Sequence, residues 1–155
     1  MKQNIDFILN GEKRSVDLES NQTLLEMLRE KLGIKSPKCG CDRGDCGSCT
    51  VMIDGRTVRS CLVLAVEVDS REVKTLEGLM TGGELTALQK NFLAHNSFQC
   101  GFCTPGVILS VSELLEKTPN PNQDEIKEAL SGNLCRCTGY IPIIEAIVDH
   151  TKQEK

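Results

Sequence analysis

Apolar and polar residues alternate at the start of the chain. Ile5, Phe7 and Leu9 are separated by polar positions, and Val16 and Leu18 resume the pattern after Asn10-Gly11. A period of two predicts strands with one buried face, and Asn-Gly between them predicts a two-residue hairpin turn. The period then changes. Leu24, Leu25, Leu28 and Leu32 recur at helical spacing behind the capping-box pair Thr23 and Glu26, and Gly33 closes the segment. A glycine-rich loop comes next. Beyond it, residues 50–53 and 56–61 flank Asp54-Gly55 and read as a second hairpin, with Val66 to Val68 and Val73 to Leu76 as further short strands.

The run from Gly78 to Gly83 interrupts this half, and the remainder of the chain favours helices. Leu85, Leu88, Phe92 and Leu93 mark one helix. Val107, Ile108, Val111, Leu114 and Leu115 mark a second, with Thr104-Pro105 as its N-cap and first residue. A third is expected from Asp124 to Leu130, ending at Gly132, and a fourth after Pro142, from Ile143 to about Thr151. The charged tail from Asp149 to Lys155 is expected to be solvated. The patterning therefore predicts an α+β lobe over residues 1–78 and a bundle of four short helices over 79–155.

Composition narrows the function classes. The chain is 39% hydrophobic, 26% charged and only 3% aromatic, with no tryptophan, so its core is aliphatic and its folding globular. No stretch approaches the roughly 20 apolar residues of a membrane span. The formal charge is −4, and basic residues are scattered, as at Lys35 and Lys38, which argues against nucleic acid. Met1 to Asn4 carry no apolar signal segment, so a cytoplasmic location with reduced thiols is expected.

The nine cysteines supply the chemistry. Cys41, Cys46, Cys49 and Cys61 follow C-x4-C-x2-C…C, the spacing of plant-type 2Fe-2S ferredoxins. Gly40, Gly44 and Gly47 lie among them, where backbone must approach sulfur closely and adopt positive φ, Gly47 being the most telling. Cys100 and Cys103 form a C-x2-C pair, answered by Cys135 and Cys137 as C-x-C. Disulfides are disfavoured by a reducing compartment. Two zinc sites are the rival for the second set taken alone, since zinc favours short knuckles. Cys39 is left over: using it in place of Cys41 would lose the ferredoxin spacing. An oxidised 2Fe-2S core on four thiolates carries a charge of about −2, so two would bring the chain to about −8. Cys103 directly precedes a helix start, whose partial positive charge favours an anionic centre. Two complete quartets leave His95 and His150 no ligand vacancy, and both are expected at the surface or at an interface. Arg136, between two ligands, is placed to offset cluster charge or to pair with a carboxylate, and Tyr140 and Pro142 read as packing and helix-start residues.

The segments Gly40 to Val51, Gln99 to Gly106 and Gly132 to Tyr140 together resemble the iron-sulfur subunit of the molybdenum hydroxylase, or xanthine dehydrogenase, family. The resemblance spans roughly Ile5 to Val148. It departs from the family pattern only at Ser48, where alanine is common, and at Cys39, a position the motif leaves open. It implies a ferredoxin-like β-grasp lobe followed by a four-helix bundle, each with one 2Fe-2S cluster. It further implies that Gln99 and Cys137 approach the pterin of a molybdenum cofactor on a large subunit, that FAD sits on a medium subunit, and that the assembly is a heterotrimer or its dimer. The expected role is electron relay within an oxidoreductase, with no substrate site on this chain. A free-standing two-cluster ferredoxin and a zinc-stabilised interaction module are the alternatives.

Overall fold

A computed structural model of the chain describes residues 2–153. Strands β1 (Lys2–Leu9) and β2 (Glu12–Glu19) form the first hairpin, with Leu9 opposite Glu12. Asn10 and Gly11 both turn left-handed, at φ 52° and 83°, the two positive values that a type I′ turn requires. Ile5, Phe7, Leu9, Val16 and Leu18 are buried, so the period of two marks the core face.

Helix α1 (Leu24–Glu26) begins with both halves of its capping box: the Glu26 N–H donates to Thr23 Oγ1 at 3.2 Å, and the Thr23 N–H donates to the Glu26 carboxylate at 2.8 Å. It then widens into a π turn over Met27–Lys31, closed by the Leu32 N–H on the Met27 carbonyl at 3.2 Å. Leu24, Met27 and Leu28 are fully buried against the sheet.

The second hairpin is β3 (Thr50–Ile53) and β4 (Arg56–Arg59). The last strand, β5 (Glu72–Lys74), enters the middle of the sheet, parallel to β1 and antiparallel to β3, giving the order β2-β1-β5-β3-β4. Only a strand joining both hairpins completes this mixed sheet, and α1 packs across it. Residues 66–68, expected as a strand, form a 3₁₀ turn over Ala65–Val68 instead. Its period of three buries Ala65 and Val68 together, where alternation would have chosen Val66 and Val68. The expected strand from Val73 to Leu76 is cut to Glu72–Lys74 by a second 3₁₀ turn over Leu76–Leu79.

The four expected helices are α2 (Ala87–Ala94), α3 (Thr104–Lys117), α4 (Gln123–Leu130) and α5 (Ile141–Gln153). Their core is aliphatic but for one ring: Leu88, Val107, Val111, Ile126, Ile143 and Ile147 are buried around Phe92. Leu93 is half exposed, because in so short a helix Leu88 and Phe92 already define the inward stripe. Helix α5 starts at Ile141, with Pro142 inside its first turn, where a missing N–H costs nothing. It also continues through Gln153 and buries His150, which corrects the expectation of a surface or interface His150 and takes Asp149 to Thr151 out of the solvated tail, while Lys152 and Gln153 are exposed as expected. Glu154 and Lys155 lie outside the described residues. Helix α3 packs against β3 and β4 as well as α4, so the helical half rests on the sheet. Among the described residues, no helix is long and apolar enough to cross a membrane.

Candidate metal centres

The loop between α1 and β3 carries three of the first four candidate thiols. Asp42, Gly44 and Gly47 adopt φ of 54°, 87° and 73°, and these left-handed steps coil the loop around Cys41, Cys46 and Cys49. The hairpin then delivers the fourth. Cys61 lies two residues beyond β4, and Ser60 turns the chain back by donating its hydroxyl to the Cys49 carbonyl at 2.6 Å. The sulfurs of Cys49 and Cys61 stand 3.4 Å apart.

Burial divides this quartet. Cys49 and Cys61 are buried, and burial, followed by the adjacent Cys49 thiol, pushes Cys61 up to about 12. Cys41 sits nearer solvent, where backbone amides of Arg43 and Cys46 donate to its sulfur and pull it down to about 7. The loop thus presents N–H groups to sulfur. Gly40 permits the approach, since a β-carbon there would stand 2.9 Å from Cys46 Sγ.

The second quartet gathers at the end of the bundle where α3 begins and α4 hands over to α5. Cys103 is itself the N-cap of α3, so the expected cap Thr104 becomes the first helical residue and Pro105 comes second. The Cys137 and Cys100 sulfurs lie 3.6 Å apart, while Cys135 and Cys103 interact through their side chains. Burial, followed by Cys135, raises Cys103 to about 12. Burial works against the Cys135 thiolate too, but hydrogen bonds from Thr138 lower its pKa all the same, with Thr138 Oγ1 at 3.1 Å. Among the described residues, the buried Thr104 hydroxyl next to Cys103 has no hydrogen-bond partner.

Each quartet therefore resolves into two close pairs: Cys41 with Cys46, Cys49 with Cys61, Cys100 with Cys137, and Cys103 with Cys135. Tetrahedral thiolates at about 2.3 Å from one metal place their sulfurs about 3.8 Å apart, close to the spacings found. Among the described residues, no three His, Cys, Asp or Glu side chains converge on a single ion position. Two pairs per site fit a two-iron unit better than one zinc. Cys39 is exposed and lies outside these pairs.

The remaining predicted residues divide. Gln99 is brought to Cys137: its amide donates to the Cys137 carbonyl at 3.2 Å, and both residues are exposed. His95 pairs with Asp149 of α5 at 3.2 Å. Arg136 is exposed. Tyr140, expected only to pack, clamps the second loop. Its hydroxyl accepts from the Cys135 N–H and donates to the Asn133 carbonyl, both at 2.9 Å.

Sequence reasoning missed the residues that join the two centres. Asn133 is almost fully buried. It donates to the Gly47 carbonyl at 3.1 Å and to Thr50 Oγ1 at 3.3 Å, and accepts from Ser110 at 2.7 Å. Arg59 reaches the Gly132 carbonyl at 2.6 Å, and the Leu134 N–H meets the Cys46 carbonyl at 2.8 Å. Gly47, expected to face sulfur, makes its closest approach elsewhere: an added β-carbon would lie 2.1 Å from the Gly132 carbonyl oxygen. The glycines at 47, 106 and 132 were the available signal, since backbone from the other half presses in at Gly47 and Gly106 and the Arg59 guanidinium does so at Gly132.

Residues 7–80 match the family described as 2Fe-2S iron-sulfur cluster binding domain, and residues 75–148 match the [2Fe-2S] binding domain. The chain is 49% identical over 146 residues to the nicotinate dehydrogenase small FeS subunit of Eubacterium barkeri, covering 94% of this chain and 93% of that one. It is 48% identical over 145 residues to the nicotine 6-hydroxylase small subunit of Paenarthrobacter nicotinovorans, covering 94% and 87%. Among solved structures, that of quinoline 2-oxidoreductase from Pseudomonas putida 86 superposes with a TM-score of 0.95 at 45% identity, covering 99% of this chain and 94% of its counterpart. The chain belongs to the 2Fe-2S small subunits of the molybdenum hydroxylase family. As a member, it is an electron-transfer subunit of an oxidoreductase, with the ferredoxin-like β-grasp and helical lobe of that family.

Proposed function

We propose that the chain relays electrons from a molybdenum-pterin centre on a large subunit, through two 2Fe-2S clusters, to FAD on a medium subunit or to an external acceptor. Residues 1–78 hold one cluster by Cys41, Cys46, Cys49 and Cys61, and residues 79–155 hold the other by Cys100, Cys103, Cys135 and Cys137. Each cluster, when bound, supplies a one-electron couple. The chain supplies thiolates in pairs, amides that stabilise charge on sulfur, and rigid spacing. The observation that carries the reading is the hydrogen bond from the Leu134 N–H to the Cys46 carbonyl, which ties a candidate ligand of the first site to the residue next to Cys135, a candidate ligand of the second.

Gln99 and Cys137 form the face turned to the pterin. Support comes from their exposure and their mutual hydrogen bond at the outer side of the second quartet. Apolar side chains beside the thiols are also open to solvent: Leu62 next to Cys61, Phe102 between Cys100 and Cys103, and Leu134 next to Cys135. Exposed apolar groups around both centres suit burial by large and medium subunits in a heterotrimer or its dimer, assembled in the cytoplasm.

Low-temperature electron paramagnetic resonance of anaerobic protein reduced with dithionite tests this. Two half-spin signals, each near one spin per chain, are expected, and co-purification returns the two larger subunits. A single signal, or zinc in place of iron and sulfide, would sink it.

A further inference from the structure

We infer that Lys38, a residue of the first lobe, is the fixed positive charge that raises the reduction potential of the cluster in the second lobe. The inference rests on the ligand reading above, in which Cys100, Cys103, Cys135 and Cys137 hold that cluster.

In sequence, Lys38 is one of several scattered lysines close to the first cysteine loop. The fold sends it across the boundary. Its ammonium stands 5.5 Å from the centroid of the Phe102 ring, and Phe102 is one of the two residues between Cys100 and Cys103. The same ring lies 3.5 Å from where a β-carbon on Gly40 would be, which puts it against the first loop. Lys38 is held from several sides. Its N–H donates to the Ser48 carbonyl at 2.9 Å, and its ammonium donates to the Ser36 carbonyl at 3.1 Å. Ser36 is gripped by Glu77, and Arg29 donates to the Lys35 and Pro37 carbonyls at 3.1 and 2.7 Å. A lysine free on its stem would average its charge through solvent, whereas this one is tethered.

The electrostatics agree with the geometry. Burial and the neighbouring Arg29 lower the Lys38 pKa, while Glu77 and then Cys103 and Cys100 oppose them. The thiols that act on Lys38 are those of the second quartet, which belongs to the other lobe. Reduction adds one negative charge to an already anionic centre, so a nearby partly desolvated cation stabilises the reduced form more than the oxidised form.

The test is an anaerobic redox titration of the full-length chain, following each paramagnetic signal separately, with Cys61→Ala identifying the signal of the first cluster. In Lys38→Met, at the potential where the unsubstituted second cluster is half reduced, the reduced-to-oxidised ratio should fall by about three- to tenfold, tenfold being 59 mV for one electron. The first cluster should move less. Lys38→Arg should restore the ratio to within about twofold, since it returns the charge. Lys35→Met removes an equal charge whose ammonium instead meets the Arg29 carbonyl at 3.0 Å, and should leave the second ratio in place. Two intact signals with an unmoved second ratio in Lys38→Met would overturn the inference alone, as would an equal shift in Lys35→Met. An unsubstituted chain without a second signal would remove the ligand reading and this inference together.

Discussion

A methyl group at position 47 would meet the Gly132 carbonyl oxygen, and φ there is 73° besides, so this glycine answers two demands at once. Gly55 separates them: its φ is 79°, but nothing lies within 4 Å of an added β-carbon. Gly55→Ala should cost only the left-handed strain of about 1–2 kcal/mol. Gly47→Ala should cost more than about 3 kcal/mol, because backbone of the other lobe must also move. Thermal unfolding of the loaded protein compares them, and equal shifts would show that close approach does not matter. Glu77 works through charge. Burial opposes its ionisation, yet hydrogen bonds from Ser36 and Thr75 lower its pKa. A depressed carboxylate contributes stability that is complete above its unfolded pKa of about 4.3 and is lost as pH falls through the folded value. Glu77→Gln should therefore be less stable by about 1–2 kcal/mol at neutral pH. The difference should close below about pH 4, and a gap of constant size from pH 3 to 7 would exclude the carboxylate charge as its source.

Among the elements, helix α3 has its first turn at the second quartet. With Cys103 as N-cap, a 14-residue helix directs its partial positive end to the Cys103 sulfur. The thiols of each loop are gathered by different local devices, left-handed glycines and a hairpin in the first and helix ends in the second. Cys61→Ala should accordingly abolish the first paramagnetic signal and leave the second near one spin per chain. Cys39→Ala should leave both signals, since that thiol lies outside the pairs; disappearance of the first signal would transfer the ligand role to Cys39. Helix α4 is fixed by its cap. Asn122 accepts from the Asp124 and Glu125 N–H groups at 2.9 and 3.0 Å, so Asn122→Ala should destabilise by about 1 kcal/mol in denaturant titrations without altering either signal.

At the scale of the molecule, the lobes meet where α3 packs on β3 and β4, and Asn133 is a buried polar group in that seam. Asn133→Ala removes donors to Gly47 and Thr50 and leaves the buried Ser110 hydroxyl without its acceptor, a loss of about 2–3 kcal/mol. Its second expected effect is particular to a joint: both centres still assemble, but the magnetic interaction between them, read as broadening when both are reduced, weakens. Unchanged broadening in a destabilised variant would confine Asn133 to an ordinary structural role.

Much was written locally. The alternation from Ile5 to Leu18, Asn10-Gly11, the Thr23 and Glu26 capping pair and the apolar face of α3 need only neighbours along the chain, so periodicity and turn chemistry determined them. The cysteine spacings were legible for the same reason, since a metal unit demands several ligands of one kind within reach of a short loop. Tertiary structure decided the rest. Val66 to Val68 lost its strand because β5 took the central place between the hairpins, and a three-residue period buried Ala65 with Val68 instead. Cys61 met Cys49, Gln99 met Cys137, and Lys38 met Phe102 only when distant segments packed. The demand for glycine at 47 came from Gly132, far along the chain, and the role of Asn133 from the other lobe's backbone. A sequence records which groups are present, whereas long-range packing settles which of their hydrogen bonds and charges meet.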